Sequence, residues 1–135
     1  SHRLRGEGIP NSFDFKGSAI FITNVNFEHV RSKKIKDHLE ALQSRCHYLD
    51  LTLDTMRDKI LRIKDIAGSG ELFAGYALND AAQKEILDFM EENKDRLREM
   101  SLRMALKIGD LYKMSKDNWK RLAETTVMNR PKAIA

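Results

Sequence analysis

The chain changes its hydrophobic rhythm near residue 52, and that change decides most of what it can fold into. After it, apolar residues recur at helical spacing in four successive segments. The first, Asp54 to Ala67, carries Met56, Ile60, Ile63 and Ala67 on one face and is ended by Gly68-Ser69-Gly70. The second is opened by Asp80 with Gln83, spaced as a capping box, and runs to about Glu92 with Ala82, Ile86, Phe89 and Met90 inward. Ser101 caps the third, through about Lys113. Its Leu102, Ala105, Leu106, Ile108, Leu111 and Tyr112 cover most of its girth, which makes it the expected buried helix. Ser115 is placed to cap the fourth, with Met114 and Trp119 at the spacing of a hydrophobic staple. Asn129-Arg130-Pro131 is the expected stop, followed by a frayed tail.

Before residue 52 the pattern is mixed. Residues 1–17 hold Gly6, Gly8, Pro10, Asn11 and Gly17 and read as an irregular lead-in. Ser18 to Asn24 is a short apolar run with β-branched and aromatic residues, read as a strand buried on both faces. Lys33 to Ser44 sets Ile35, Leu39 and Leu42 on one helical stripe, and His47 to Leu51 alternates as a second strand. Strand, helix, strand with short connections predicts a parallel βαβ unit. Two strands do not make a stable sheet by themselves. The predicted fold is therefore an α/β remnant over 1–52 followed by an all-α four-helix unit over 53–135. The remnant is expected either to pack on missing chain or to find a substitute partner. Ser1-His2 reads as a vector-derived remnant, which gives the same expectation of a start inside a longer protein.

The bulk numbers exclude several classes. About 41% apolar and 33% charged residues describe a globular chain, not a disordered one. No apolar run nears the roughly 18 residues of a membrane span, and the N-terminus is not a signal peptide. A single cysteine, Cys46, rules out an intrachain disulfide and makes a reducing cytoplasm the expected compartment. The 24 basic against 20 acidic residues leave a formal +4, too mild to argue for nucleic acid. The densest basic cluster is Arg31, Lys33, Lys34 and Lys36, either a solvated helix start or a place for DNA to dock.

No self-contained catalytic set emerges. Cys46 and His47 are neighbours entering a predicted strand, so their side chains diverge. His29 and His38 lack metal-ligand spacing, and no metal site is expected. Asp88, Glu91, Glu92 and Asp95 read as a solvated helix face. The glycine-rich Gly68 to Gly75 follows a helix and lacks the Lys-Ser/Thr of a phosphate-binding loop, so it reads as a linker.

Three other positions carry more information. Asn24 ends the first predicted strand, at the edge where ligands sit in parallel α/β sheets. An amide there can hold a water in line with a γ-phosphate; the alternative is a turn-initiating asparagine. Arg45 closes the amphipathic helix. It can reach across a subunit boundary to transition-state charge, or simply meet the helix's own C-terminal carbonyls. Arg103 stands in the first turn after the Ser101 cap, where a cation is disfavoured unless an anion is near.

The strings Phe21-Ile22-Thr23-Asn24, Leu42-Gln43-Ser44-Arg45-Cys46 and Ser101-Leu102-Arg103-Met104-Ala105-Leu106 resemble, in that order, sensor 1, arginine finger and sensor 2 of AAA+ ATPases. Ser-Arg-Cys before a strand looks like the clamp-loader finger, and Leu-Arg-x-Ala-Leu like the sensor-2 helix of clamp loaders and related proteins. A four-helix lid after the last core strand is the family layout, and the match spans roughly residues 13 to 127. The chain holds neither GxxxxGK[ST] nor an apolar run ending in Asp-Glu. Val25 to Ser32 reads as a loop insertion carrying the basic cluster, and Phe13-Asp14-Phe15-Lys16-Gly17 resembles phage- or plasmid-encoded members.

The resemblance implies that residues 1–52 end a parallel P-loop sheet and 53–135 form the helical lid. Asn24 would orient water, Arg103 would sense the γ-phosphate, and Arg45 would act on a neighbour's nucleotide. The parent would bind ATP and Mg, form a ring and work on DNA or protein. This piece alone would hydrolyse nothing and hold no cofactor, its partners being the missing N-terminal half and neighbouring ring subunits. The lid would move about a hinge near Leu51 to Leu53. The competing reading is a non-enzymatic helical adaptor or nucleic-acid-binding module.

Overall fold

In the computed structural model, which describes residues 8–131, five α-helices and one short 3₁₀ turn carry the regular structure. The helices are α1 (Lys33–Arg45), α2 (Met56–Gly68), α3 (Asp80–Glu92), α4 (Leu102–Met114) and α5 (Trp119–Thr126). The packing divides the chain between Leu49 and Asp50. Ser1-His2 and the start of the predicted lead-in, with Gly6, lie outside the described residues.

In the first unit α1 forms where its stripe predicts it. Ser32 accepts from the Ile35 amide at the start, and the Cys46 amide closes the end on the Leu42 carbonyl. The two predicted strands are a correction. Ser18 to Asn24 and His47 to Leu51 are irregular, and the described residues contain no β-ladder, only an isolated bridge between Leu97 and Met128. The reason is exposure: Ile20 is 89% and Ile22 93% accessible, with Phe21, Leu49 and Leu51 also largely uncovered. A strand apolar on both faces gains nothing from pairing unless further layers cover it. Among the described residues of this unit Phe27, Val30, Leu39 and Gln43 alone are half-buried, and Phe27 stacks on Tyr48 at 5.6 Å.

The second unit is all-α. Its four helices enclose one core, built from Ile60, Ile63 and Ala67 of α2 with Ala82, Ile86, Phe89 and Met90 of α3. To these α4 adds Met104, Ala105, Ile108, Gly109 and Tyr112, and α5 adds Trp119 and Ala123. Helix α4 contributes the most buried positions and packs against both α3 and α5, as its girth of apolar residues predicts. Trp119 ties three helices together, edge-on to Phe89 at 4.9 Å and tilted against Tyr112 at 5.5 Å. Met56, predicted inward, is 39% accessible instead, because it is the first residue of α2 and lies beyond the reach of the core.

The caps refine the boundaries. Thr55 caps α2 and Ser101 caps α4, each hydroxyl accepting from an amide three residues on, at 3.1 Å. Helix α3 is capped by Asn79, which accepts from Ala82 at 2.8 Å, so the predicted Asp80–Gln83 box does not form. Asp80 becomes the first helical residue, where its charge favours the positive helix end, and Gln83 donates to the Leu78 carbonyl. Ser115 does not cap α5. Its amide closes α4 on the Leu111 carbonyl, a turn follows, and the helix begins at Trp119. Met114 is 72% accessible, so the predicted staple is absent; burial of Trp119 in the aromatic cluster sets the phase instead.

Gly68 to Gly75, read as a linker, is a connection pinned at its centre by buried Leu72 and Phe73. Its bends use Gly70 and Gly75 at positive φ, and Ala77 follows at φ +53°, costing about 1 kcal/mol. Gly109 has a different role. A Cβ there would stand 3.2 Å from the Phe73 ring and 3.3 Å from Tyr76, so its bare backbone lets this connection lie against α4.

Candidate functional site

Asn24 and Arg45 belong to the first unit and Arg103 to the second. Asn24 is exposed in irregular chain, where Thr23 accepts from the Val25 amide. The turn-capping bond of this stretch is made by Asn26, which accepts from Glu28 and opens the 3₁₀ turn Phe27–His29. Arg45 is the exposed last residue of α1, in the turn where a cation suits the helix carbonyls.

Arg103 is the exposed second residue of α4. The first turn of α4 contains no acidic residue, whereas α2 has Asp58 and α3 has Asp80 at the same place. With Ser101 satisfying the Met104 amide, the start of α4 presents a positive helix end and a guanidinium together.

The basic residues Arg31, Lys33, Lys34 and Lys36 are all exposed around the start of α1, whose first turn likewise lacks an acid. The carboxylates of α3 do structural work. Asp88 pairs with Lys84 at 2.7 Å, raising the lysine pKa through the hydrogen bond, and Glu91 pairs with Lys64 of α2. Such exposed pairs are screened by water and add little to stability. Cys46 is exposed and free, and no three His, Cys, Asp or Glu side chains among the described residues are grouped to hold a metal ion.

One feature was not read from the sequence. The connection between α3 and α4 runs antiparallel to the segment after α5 and is locked to it by two amide bonds. Arg98 donates to the Val127 carbonyl at 3.1 Å, and Asn129 to that of Arg96 at 2.8 Å. Leu97 and Met128 face the core, so by strand alternation Arg96 and Arg98 turn away from it. Together with Arg130 and Asn129 they line a polar groove of about 470 Å³ that Glu124 also borders. The stop predicted at Asn129-Arg130-Pro131 is thus misplaced. The helix ends at Thr126, and the chain returns along the 96–98 segment.

The chain is 36% identical over 125 residues to an uncharacterized 36.7 kDa protein of the nrdC-mobD intergenic region of Enterobacteria phage T4. The match covers 91% of this chain and 38% of the relative, so the chain spans well under half of that protein's length. No family model and no solved structure matches. Among the described residues no helix is long and apolar enough to cross a membrane.

Proposed function

We propose that this chain is the C-terminal part of an AAA+ ATPase, in which the first unit ends the nucleotide-binding sheet and the helical unit is the lid. The observation that carries the reading is the start of α4. The Leu102-Arg103-x-Ala105-Leu106 string sits on a Ser101-capped helix anchored by Met104, Ala105 and Ile108, with Arg103 exposed beside an uncompensated positive helix end. That arrangement suits a terminal phosphate.

Two further observations support it. The apolar Ile20, Phe21, Ile22, Leu49 and Leu51 are uncovered, as expected of strands awaiting a larger parallel sheet. The matched relative is a phage protein more than twice as long, with room for a phosphate-binding loop elsewhere. In this reading the β-pairing of Ser18–Asn24 and His47–Leu51 forms only against that sheet.

ATP would supply the transferable phosphoryl group, and Arg103 is the residue of this chain suited to its γ-phosphate. The Mg ligands would come from the remainder of the protein. Asn24, at the strand end, would position the attacking water, and Arg45 would stabilise charge on a neighbouring subunit's nucleotide in a ring acting on DNA or protein. Rotation of the lid would use the irregular chain near Leu51 to Leu53 as its hinge.

The test is Arg45→Ala in the longer protein. Loss of ATP turnover with nucleotide binding retained supports the finger role; unchanged turnover removes it. The 135-residue chain itself is expected to bind ATP weakly, and micromolar affinity by calorimetry would count against the reading.

A further inference from the structure

The groove between the 96–98 segment and the 128–131 segment has the makings of an anion site. Three arginines line it against one carboxylate, Glu124. Among the described residues the ion pairs are Lys64–Glu91, Lys84–Asp88 and Lys120–Glu85, and none of them involves these three arginines. Arg96 is the decisive one. Its Nε is buried and meets no acceptor, an arrangement native proteins seldom leave unexplained. Its backbone is fixed by the Asn129 amide on its carbonyl, and neighbouring Leu97 is anchored in the core. The guanidinium is therefore presented from a rigid base rather than a mobile tail.

Guanidinium groups match tetrahedral oxyanions, to which each can donate two parallel hydrogen bonds. Lysine clusters on open helix faces lack that geometry, which sets this groove apart from the Arg31–Lys36 cluster. We propose that Arg96, Arg98 and Arg130 bind phosphate groups in this groove. The phosphate comes either from the backbone of single-stranded nucleic acid or from a small phosphate-bearing molecule. The site stands independently of the ATPase reading, since it uses neither Asn24, Arg45 nor Arg103.

The experiment uses the 135-residue chain with two probes, a labelled oligothymidylate followed by anisotropy and inorganic phosphate followed by arginine Nε–Hε NMR shifts. Three proteins are compared: wild type, the combined Arg96→Gln, Arg98→Gln, Arg130→Gln variant, and a variant with Arg31, Lys33, Lys34 and Lys36 changed to Gln. Arg98→Gln alone, at an exposed position outside the core, is added as a fourth protein, with its fold checked by circular dichroism. If the source is nucleic acid, the groove variant loses about two from the slope of log K against log salt, at roughly 0.7 per contact, and the α1 variant retains groove binding. If the source is a small molecule, oligothymidylate affinity ignores the groove variant, while phosphate shifts the groove arginine signals of wild type and of the α1 variant alike. The proposal is overturned if neither probe distinguishes wild type from the groove variants.

Discussion

Removing the Trp119 side chain should unfasten the helical unit, because that ring is where α3, α4 and α5 meet. It is 2% accessible and touches Phe89 and Tyr112. A buried tryptophan covers about 150–250 Å², and at about 25 cal/mol per Å² its burial amounts to about 4–6 kcal/mol. Measured truncations of buried aromatics lie at about 3–5 kcal/mol, in line with that figure. A helical unit of roughly 80 residues is stable by about 4–12 kcal/mol in total. Trp119→Ala therefore removes a third or more of what holds this unit folded. With an m-value of about 1–2 kcal/mol per M, the urea midpoint should fall by about 2–5 M. Trp119 is the sole tryptophan, so far-ultraviolet circular dichroism, not fluorescence, must follow the transition. Trp119→Phe, which keeps a ring against Phe89, should recover part of the loss. A midpoint unchanged in Trp119→Ala would refute the claim that the aromatic cluster organises the core.

Three smaller perturbations test other parts of the account. Ser101→Ala removes the acceptor of the Met104 amide and should cost about 1 kcal/mol, lowering the melting temperature by about 4–8 °C; no shift would mean the cap is idle. Gly109→Ala should be near neutral, its helix gain of about 0.5–1 kcal/mol offsetting contact with Phe73 and Tyr76, whereas Gly109→Val should cost about 1–3 kcal/mol. Equal melts for the two would disprove the close approach. The Tyr76 phenol is held above its usual pKa by desolvation first, and then by the nearby Asp110 carboxylate. Its folded form keeps the proton longer, so its contribution is complete below the unfolded pKa of about 10 and declines as pH rises through the folded value. Tyr76→Phe should flatten that alkaline loss of stability; an unchanged profile would assign it elsewhere.

Which parts were legible from the sequence follows from how local their causes are. Four helices after residue 52 could be read because Ile60, Ile63, Ile86, Phe89, Ala105 and Ile108 repeat at helical spacing, and Ser101 announces its own cap. The cap of α3 slipped by one residue because Asn79 and Asp80 are adjacent and both suited to the role. Ser115 misled because the same residue type can close one helix or open the next, and the choice fell to Trp119 in the distant aromatic cluster. Strand formation by Ser18–Asn24 depends on partners outside the pattern itself, so composition could state the need but not its fulfilment. Gly109 gave no local sign, since Phe73 and Tyr76 reach it only through the fold. The arginine groove joins residues some thirty positions apart, and its one local trace was the polar–apolar–polar alternation of Arg96, Leu97 and Arg98.

Magnesium-dependent ATP turnover by the longer protein, wild type against Arg103→Ala, tests the central proposal most directly. Turnover is expected in the wild type and lost in the variant, with the helical unit still folded because Arg103 is exposed and outside the core. A wild-type protein that neither binds nor hydrolyses ATP, or an Arg103→Ala variant that turns over at the same rate, would contradict it.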